Sequence, residues 1–264
     1  MLIGSFLNVV IYRVPLKKSI VSPPSACGTC GHVVRRRDNI PVLSWLILRG
    51  RCRDCKAKIS VRYPLVELGG AVFFVIVALW FVPPIFAAAT TRIFVGDIIE
   101  LVGFLYLGAI SLALALIDID TKTLPNSIVY PAYAVGAAFL GSAGVLQENY
   151  GALLLAIIGA VALGLLYFIL YFFIPGGMGF GDVKLAGVLG LFLGFLGLPQ
   201  LIVGSFAAFI TGGLFSVILL VSQRGKRKSK IPFGPWMLLG AWIGILVGPQ
   251  VATWYLTLFG LGAA

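Results

Sequence analysis

Long apolar runs broken by short polar turns dominate the chain, and they predict helices. The runs fall at about 65–82, 98–117, 128–146, 152–174, 185–198, 201–221 and 235–251, each continuously apolar rather than alternating with a period of two. A helix needs roughly 20 apolar residues to cross about 30 Å of hydrocarbon. Lipid offers backbone groups no partner, so spans are helices or closed barrels, and continuous runs select helices. The predicted fold class is all-α: a polytopic membrane helical bundle (63–264) preceded by a small polar domain (13–62). The run 185–198 is short, which predicts a tilted or partly inserted helix. The apolar start, 1–12, is too short to span. It reads as a first transmembrane helix that is either truncated or begins half-way across the membrane, and it lacks the basic start and cleavage site of a secretory signal.

Composition fits this picture. Of 264 residues, 60% are apolar and 11% charged, against about 25% charged in soluble domains. The net charge of +11 would suggest nucleic acid in a soluble protein, but its placement does not. Twelve of the 20 bases lie between Arg13 and Arg62, and Arg224, Lys226, Arg227, Lys228 and Lys230 form a second cluster. The positive-inside rule puts both segments in the cytosol, next to anionic lipid headgroups. Counting crossings then places Arg62, Asp118, Asp182 and Arg224 on one face. The connections at Pro199–Gln200 and at 147–150 face outward and lack Lys and Arg.

The four cysteines form two CxxC pairs, Cys27/Cys30 and Cys52/Cys55, separated by 21 residues. Two such turns brought together supply the tetrahedral thiolate set of a structural zinc site, closed to water, with His32 a bystander. Disulfides are the alternative, disfavoured in a reducing cytosol. A metal would also provide folding energy that a small domain with few apolar residues lacks.

His32 is the one histidine, so Ser-His-Asp, Cys-His and HExxH chemistry within the membrane is excluded. Most of the nine acids sit in polar loops or near helix ends, where solvation suffices. Asp118, Asp120 and Asp182 differ, because an ionisable group abutting a long apolar helix is expensive to bury and suggests function. Asp118 ends an apolar run, Asp120 follows it, and Pro125 opens the next helix. Asp182 sits in Gly177-Met178-Gly179-Phe180-Gly181-Asp182. A plain structural role is available: Asp182 caps a helix starting at Val183, and Asp118 with Asp120 forms a solvated turn. Yet Asp118 and Asp182 share one side, and two carboxyl groups in one site hold one proton between them, which suits activation of water against a peptide bond.

At these residues the chain resembles the bacterial prepilin peptidases, the type IV leader peptidases that also serve type II secretion. The likeness is carried by Gly4-Ser5-Phe6-Leu7-Asn8-Val9-Val10, the double CxxC, Tyr63-Pro64-Leu65-Val66-Glu67, the stretch from Asp118 to Asn126, the GxGD of Gly179 to Asp182, and Ile231-Pro232-Phe233-Gly234-Pro235. GxGD also occurs in presenilin-like and preflagellin peptidases; with the tetracysteine domain it is specific.

The resemblance implies an aspartic endopeptidase of the bacterial inner membrane. Its substrates would be prepilins or pseudopilins, losing a basic leader after a glycine at the cytosolic face. The family's catalytic pair falls on Asp118 and Asp182, with Asp120 the weaker candidate. Many members also methylate the new amino terminus with S-adenosylmethionine, and Gly50-Arg51 stands where the family has a Gly-Lys pair linked to that activity. Relatives have a longer first helix. The substrate's apolar helix would lie beside the peptidase helices, its leader in the cytosol. Two rivals predict otherwise: a non-enzymatic scaffold or transporter with a zinc docking domain, which should show internal repeats and midplane helix breaks, and a presenilin-type protease, which should cut within the helix.

Overall fold

The computed structural model describes residues 1–174, 178–222 and 232–260. Gly177, Ile231 and the basic cluster from Arg224 to Lys230 lie outside the described residues.

Each apolar run is a helix. After α1 (Leu2–Arg13) and the short α2 (Leu43–Ile47) come α3 (Arg62–Ala87), α4 (Thr91–Thr121), α5 (Asn126–Leu146), α6 (Tyr150–Phe173), α7 (Phe180–Leu196), α8 (Leu198–Val221) and α9 (Gly234–Leu258). Among the described residues six, α3 to α6, α8 and α9, are long and apolar enough to cross a membrane, which makes the protein polytopic. The 17-residue α7 is about 25 Å long, less than the hydrocarbon thickness. Its neighbours explain how a short helix is accommodated: most of α7 is buried. Phe192 is fully enclosed and meets Phe104 of α4 edge-on, with ring centroids 5.4 Å apart.

Helix contact rests on small residues, as expected where lipid is as apolar as the side chains. A Cβ on Gly190 would run into the carbonyl of Gly159 on α6, and one on Gly194 into that of Leu155. Gly240 and Gly244 of α9 lie equally close to Ala208, Gly204 and Gln200 of α8. These two backbone-to-backbone seams hold the second half of the bundle.

Polar bonds mark the two ends of the bundle. At one end Arg62 at the start of α3 grips Asp120 at the end of α4 with two bonds of 2.9 and 2.6 Å. Lys184 of α7 donates to Asn126 of α5 at 2.9 Å, and the Gly234 N–H of α9 donates to Asp118 at 3.0 Å. At the other end Arg92 pairs with Glu148, and Gln147 donates to both Asp97 and Glu100 at 2.8 Å. The up-and-down order is therefore the one obtained by counting crossings.

Several expectations need correction. The turn between α7 and α8 is Gly197 alone (φ +130°), and Pro199 and Gln200 lie in the first turn of α8, where proline's missing N–H costs nothing. Helix α7 begins at Phe180, ahead of Val183. Two acids assigned to solvent are buried: Asp97, bonded by Gln147, and Glu67, whose carboxylate accepts the Val42 N–H at 2.8 Å. Asp38 is half-buried, its carboxylate covered by the Arg53 guanidinium, which donates to it through Nε and Nη2 and holds its carboxyl below the usual range.

Candidate active site and cysteine cluster

Asp118 lies in the last turn of α4, and the helix is closed just beyond it by Lys122, whose left-handed backbone (φ +55°) returns its N–H to the Asp118 carbonyl. The chain then turns through Leu124 and Pro125 into α5. Asp182 is the third residue of α7. Its carboxylate accepts the Gly179 N–H at 2.8 Å, reaching back from inside the helix to the N-cap Gly179 rather than capping a helix that starts at Val183. Among the described residues no other hydrogen bond reaches this carboxylate.

The two acids converge. Asp118 is 4% and Asp182 8% exposed, and they lie within Coulombic reach of one another. Three backbone approaches define the space around them. A Cβ on Gly234 would stand 2.7 Å from Asp118 Oδ2 and 3.2 Å from Leu124 Cδ2; one on Gly181 would stand 3.1 Å from Leu124 Cβ. Leu124 is thus wedged between the GxGD turn and the start of α9, bringing both loops onto the aspartates. Only glycine admits so close a backbone at position 234. Tyr167 of α6, 2% exposed, is within Coulombic reach of Asp182, and its ring centroid is 6.2 Å from that of Phe233.

Asp120 is not part of this set. It is two residues along α4, points away, and is committed to Arg62 near solvent. The sequence did not reveal Leu124, Tyr167 or the role of the Gly234 N–H. The motif from Pro232 to Pro235 was visible, but its contact with Asp118 spans 116 positions of chain.

The cysteines also converge, in a segment built twice on one plan. After Cys27 and Cys30 a left-handed Gly31 (φ +73°) turns the chain, the Cys27 N–H bonds His32 O at 2.9 Å, and Ala26 bridges Val33. After Cys52 and Cys55 a left-handed Lys56 (φ +61°) does the same, the Cys52 N–H bonds Ala57 O at 2.8 Å, and Arg51 bridges Lys58. All four sulfurs lie within 4.8 Å of one another, and Cys27 Sγ and Cys55 Sγ are 3.7 Å apart. Thiolates about 2.3 Å from a tetrahedral zinc stand about 3.8 Å apart, so the donor set fits such an ion. None of the four is in a disulfide. The backbone N–H groups of Cys30 and then Thr29 lower the Cys27 thiol to about 6, while Cys30, despite the lowering backbone bond from His32, is pushed up to about 12 by burial and the neighbouring sulfurs.

Gly50 and Arg51 precede the second turn. Gly50 has φ +64°, is buried, and a Cβ there would meet the Trp45 ring at 2.8 Å. Trp45, carried on α2, anchors the turn by donating from Nε1 to Ile59 O at 3.1 Å. Arg51 is exposed and directly precedes Cys52 of the cluster.

Comparison with known proteins agrees with these features. The Bacterial Peptidase A24 N-terminal domain family matches residues 1–81, and the Type IV leader peptidase family matches residues 105–217. A prepilin leader peptidase/N-methyltransferase of Aeromonas salmonicida is 34% identical, the match covering 97% of this chain and 91% of the relative. Proteins of the same description from Aeromonas hydrophila (36%, covering 98% and 92%) and Pseudomonas putida (35%, covering 95% and 89%) are also similar. No solved structure matches.

Proposed function

The chain belongs to the type IV leader peptidase family, and we infer that it is a prepilin leader peptidase/N-methyltransferase in which Asp118 and Asp182 are the catalytic pair. The observation that carries the assignment of the pair is their convergence: two buried carboxyl groups from separate helices, held by the Gly234 and Gly179 backbone N–H groups, at the same end of the bundle. Two such groups share one proton. The ionised member takes a proton from water as the water attacks the scissile carbonyl. The protonated member donates to the carbonyl oxygen, and the proton gained by the first passes to the leaving amine. The dyad titrates as a unit, so the roles of base and acid belong to the pair. The N–H groups of Gly234 and Gly179 fix the two carboxylates, which lowers the cost of orienting them.

The bases of the segment between Arg13 and Arg62 lie at this same end, which supports a cytosolic active site in the bacterial inner membrane. A substrate whose apolar helix lies in the bilayer and whose basic leader lies in the cytosol brings its junction to that level. The substrates are accordingly prepilins or the pseudopilins of type II secretion, cut after glycine. Cys27, Cys30, Cys52 and Cys55 would hold a structural zinc, which when bound ties the two turns into one folded unit. Gly50 and Arg51 are assigned to the methyl-transfer region with S-adenosylmethionine as donor, Arg51 supplying the positive charge and the left-handed Gly50 holding the turn against Trp45. These assignments make 13–62 the zinc-binding domain and 63–264 the peptidase domain.

The test is cleavage of a purified prepilin in detergent with S-adenosylmethionine present, read by mass. The parent is expected to release the leader after glycine and add one methyl group. Asp118→Asn and Asp182→Asn are each expected to release none, and full cleavage by either overturns the assignment.

A further inference from the structure

An open groove of about 790 Å³ runs along the bundle between α1, α4 and α5, and the reaction described above leaves it unused. Its walls are apolar: Phe6 and Val10 of α1, Ala109 and Ala113 of α4, Ile128 of α5. Its mouth is not. Lys17 and Lys18 line it, placed by a folded turn after α1. Lys17 is left-handed (φ +54°), the Lys18 N–H returns to Arg13 O at 3.0 Å, and the Arg13 guanidinium donates to Ser19 O at 3.0 Å and Pro23 O at 2.7 Å. Arg13 is occupied in holding the turn, while both lysines are exposed. The mouth lies at the Asp118 end of the bundle, because α1 and α4 finish there and α5 starts there.

We propose that this groove binds one anionic glycerophospholipid, its acyl chain along α1, α4 and α5 and its phosphate between Lys17 and Lys18. Charge complementarity selects the occupant. Lysines are drawn to an anionic lipid surface, and the two stand at the end of an apolar trough, as a headgroup stands to its chain. The rival occupant, the apolar helix of a substrate, fits poorly on two grounds. At 3.6 residues per turn, Ala113 and Ala109 lie about 140° and 180° around α4 from Asp118, so a helix seated there would present its scissile bond to the wrong side of α4. The lysines would also repel a basic leader. The groove is therefore a lipid site behind the catalytic helix, packing α1 against it.

Native mass spectrometry of the detergent-purified chain tests this with phosphatidylglycerol and, as comparator, phosphatidylcholine. One phosphatidylglycerol is expected to be retained in preference to phosphatidylcholine. Lys17→Gln with Lys18→Gln should weaken phosphatidylglycerol roughly thirtyfold, the equivalent of about 2 kcal/mol, and leave phosphatidylcholine unchanged. Ala109→Trp, which fills the groove, should displace both. Equal retention of the two lipids by the parent overturns the proposal, whatever the variants do. So does unchanged phosphatidylglycerol binding in both variants. A raised KM for prepilin in Ala109→Trp with lipid binding intact reassigns the groove to the substrate. The lipid readout needs no activity, so its failure is separate from failure of the peptidase assignment.

Discussion

The cysteine segment and the helical bundle sit at opposite extremes of how a chain can be held. Residues 26–58 contain little apolar core; their two turns are joined by four converging sulfurs and by contacts such as Arg53 with Asp38 and Trp45 with Ile59. The bundle has no such cross-link, and its second half is held by glycine faces that bring helix backbones together. The first region offers a donor set through which a bound ion would hold it, and the second is held by shape. On the proposed assignments the same division separates the two activities, with the aspartates on the bundle and Gly50-Arg51 on the cysteine segment.

The sharpest test of that division is to remove one activity and keep the other. Asp118→Asn and Asp182→Asn are expected to lower kcat for cleavage by about 10³-fold or more, since each removes a proton-transfer group. Methylation of a pilin peptide already lacking its leader should survive. The double variant should be little worse than either single one, because the pair works as a unit.

Next in size is loss of the metal. Cys27→Ser with Cys55→Ser, or a strong chelator, should unfold residues 26–58, because binding energy of such a site is folding energy. Metal analysis by mass spectrometry should fall from one zinc per chain to none, limited proteolysis should open the segment, and methyl transfer should be lost. Helix content by circular dichroism should change little, since the segment contributes only α2 and one short turn. A collapse of the whole bundle would show that the regions are not independently held.

Within the bundle, shape can be tested one atom at a time. Gly234→Ala puts a methyl 2.7 Å from Asp118 Oδ2, where the neighbour must move. Gly213→Ala, on α8, meets nothing within 4 Å. The first should cut kcat roughly 10²-fold, as misplacement of a catalytic group by about 1 Å does. The second should leave it unchanged and raise stability by about 0.5–1 kcal/mol through reduced backbone freedom. Equal effects would mean that the close approach at Gly234 does not position Asp118.

A contact that joins the two regions should matter less. The Glu67 carboxylate of α3 accepts the N–H of Val42, a β-branched residue with φ +62° at the start of α2. Such a conformation costs about 1–3 kcal/mol and needs support from its surroundings. Glu67→Gln weakens a charge-assisted bond, and an effect of about 1–2 kcal/mol is expected on opening of residues 42–51, read by hydrogen exchange.

How much of this was legible follows from which forces the sequence displays. Hydropathy marks where a helix must lie, so all seven runs were found, and spacing marks the cysteine turns. Hydropathy does not mark a first turn in which Phe180 and Val183 are mixed with Gly181, Asp182 and Lys184, so the start of α7 at Phe180 was missed. Nor does it register an acid buried against a partner far along the chain. Asp97 and Glu67 look like end-of-helix acids until Gln147 and Val42 arrive through folding. Asp118 and Asp182 could be paired by counting crossings, but the wedge of Leu124 between Gly181 and Gly234 depends on helix register, which packing alone decides.

The smallest expected effect separates the two aspartates of one turn. Asp120 is two residues from Asp118, and both ends of its pair with Arg62 are more than a third exposed. Exposed pairs contribute about 0.2–1 kcal/mol, the more so when both guanidinium nitrogens engage as here. Asp120→Asn should therefore lower stability by no more than that, with the difference shrinking in high salt as screening removes the attraction from the parent. Its kcat for cleavage should equal the parent's. Arg62→Gln should behave alike, and combining the two should add little, because either one already breaks the pair. A loss of cleavage in Asp120→Asn comparable to that of Asp118→Asn would place the chemistry at the solvent edge of α4 rather than in the buried space bounded by Gly234, Leu124 and the GxGD turn.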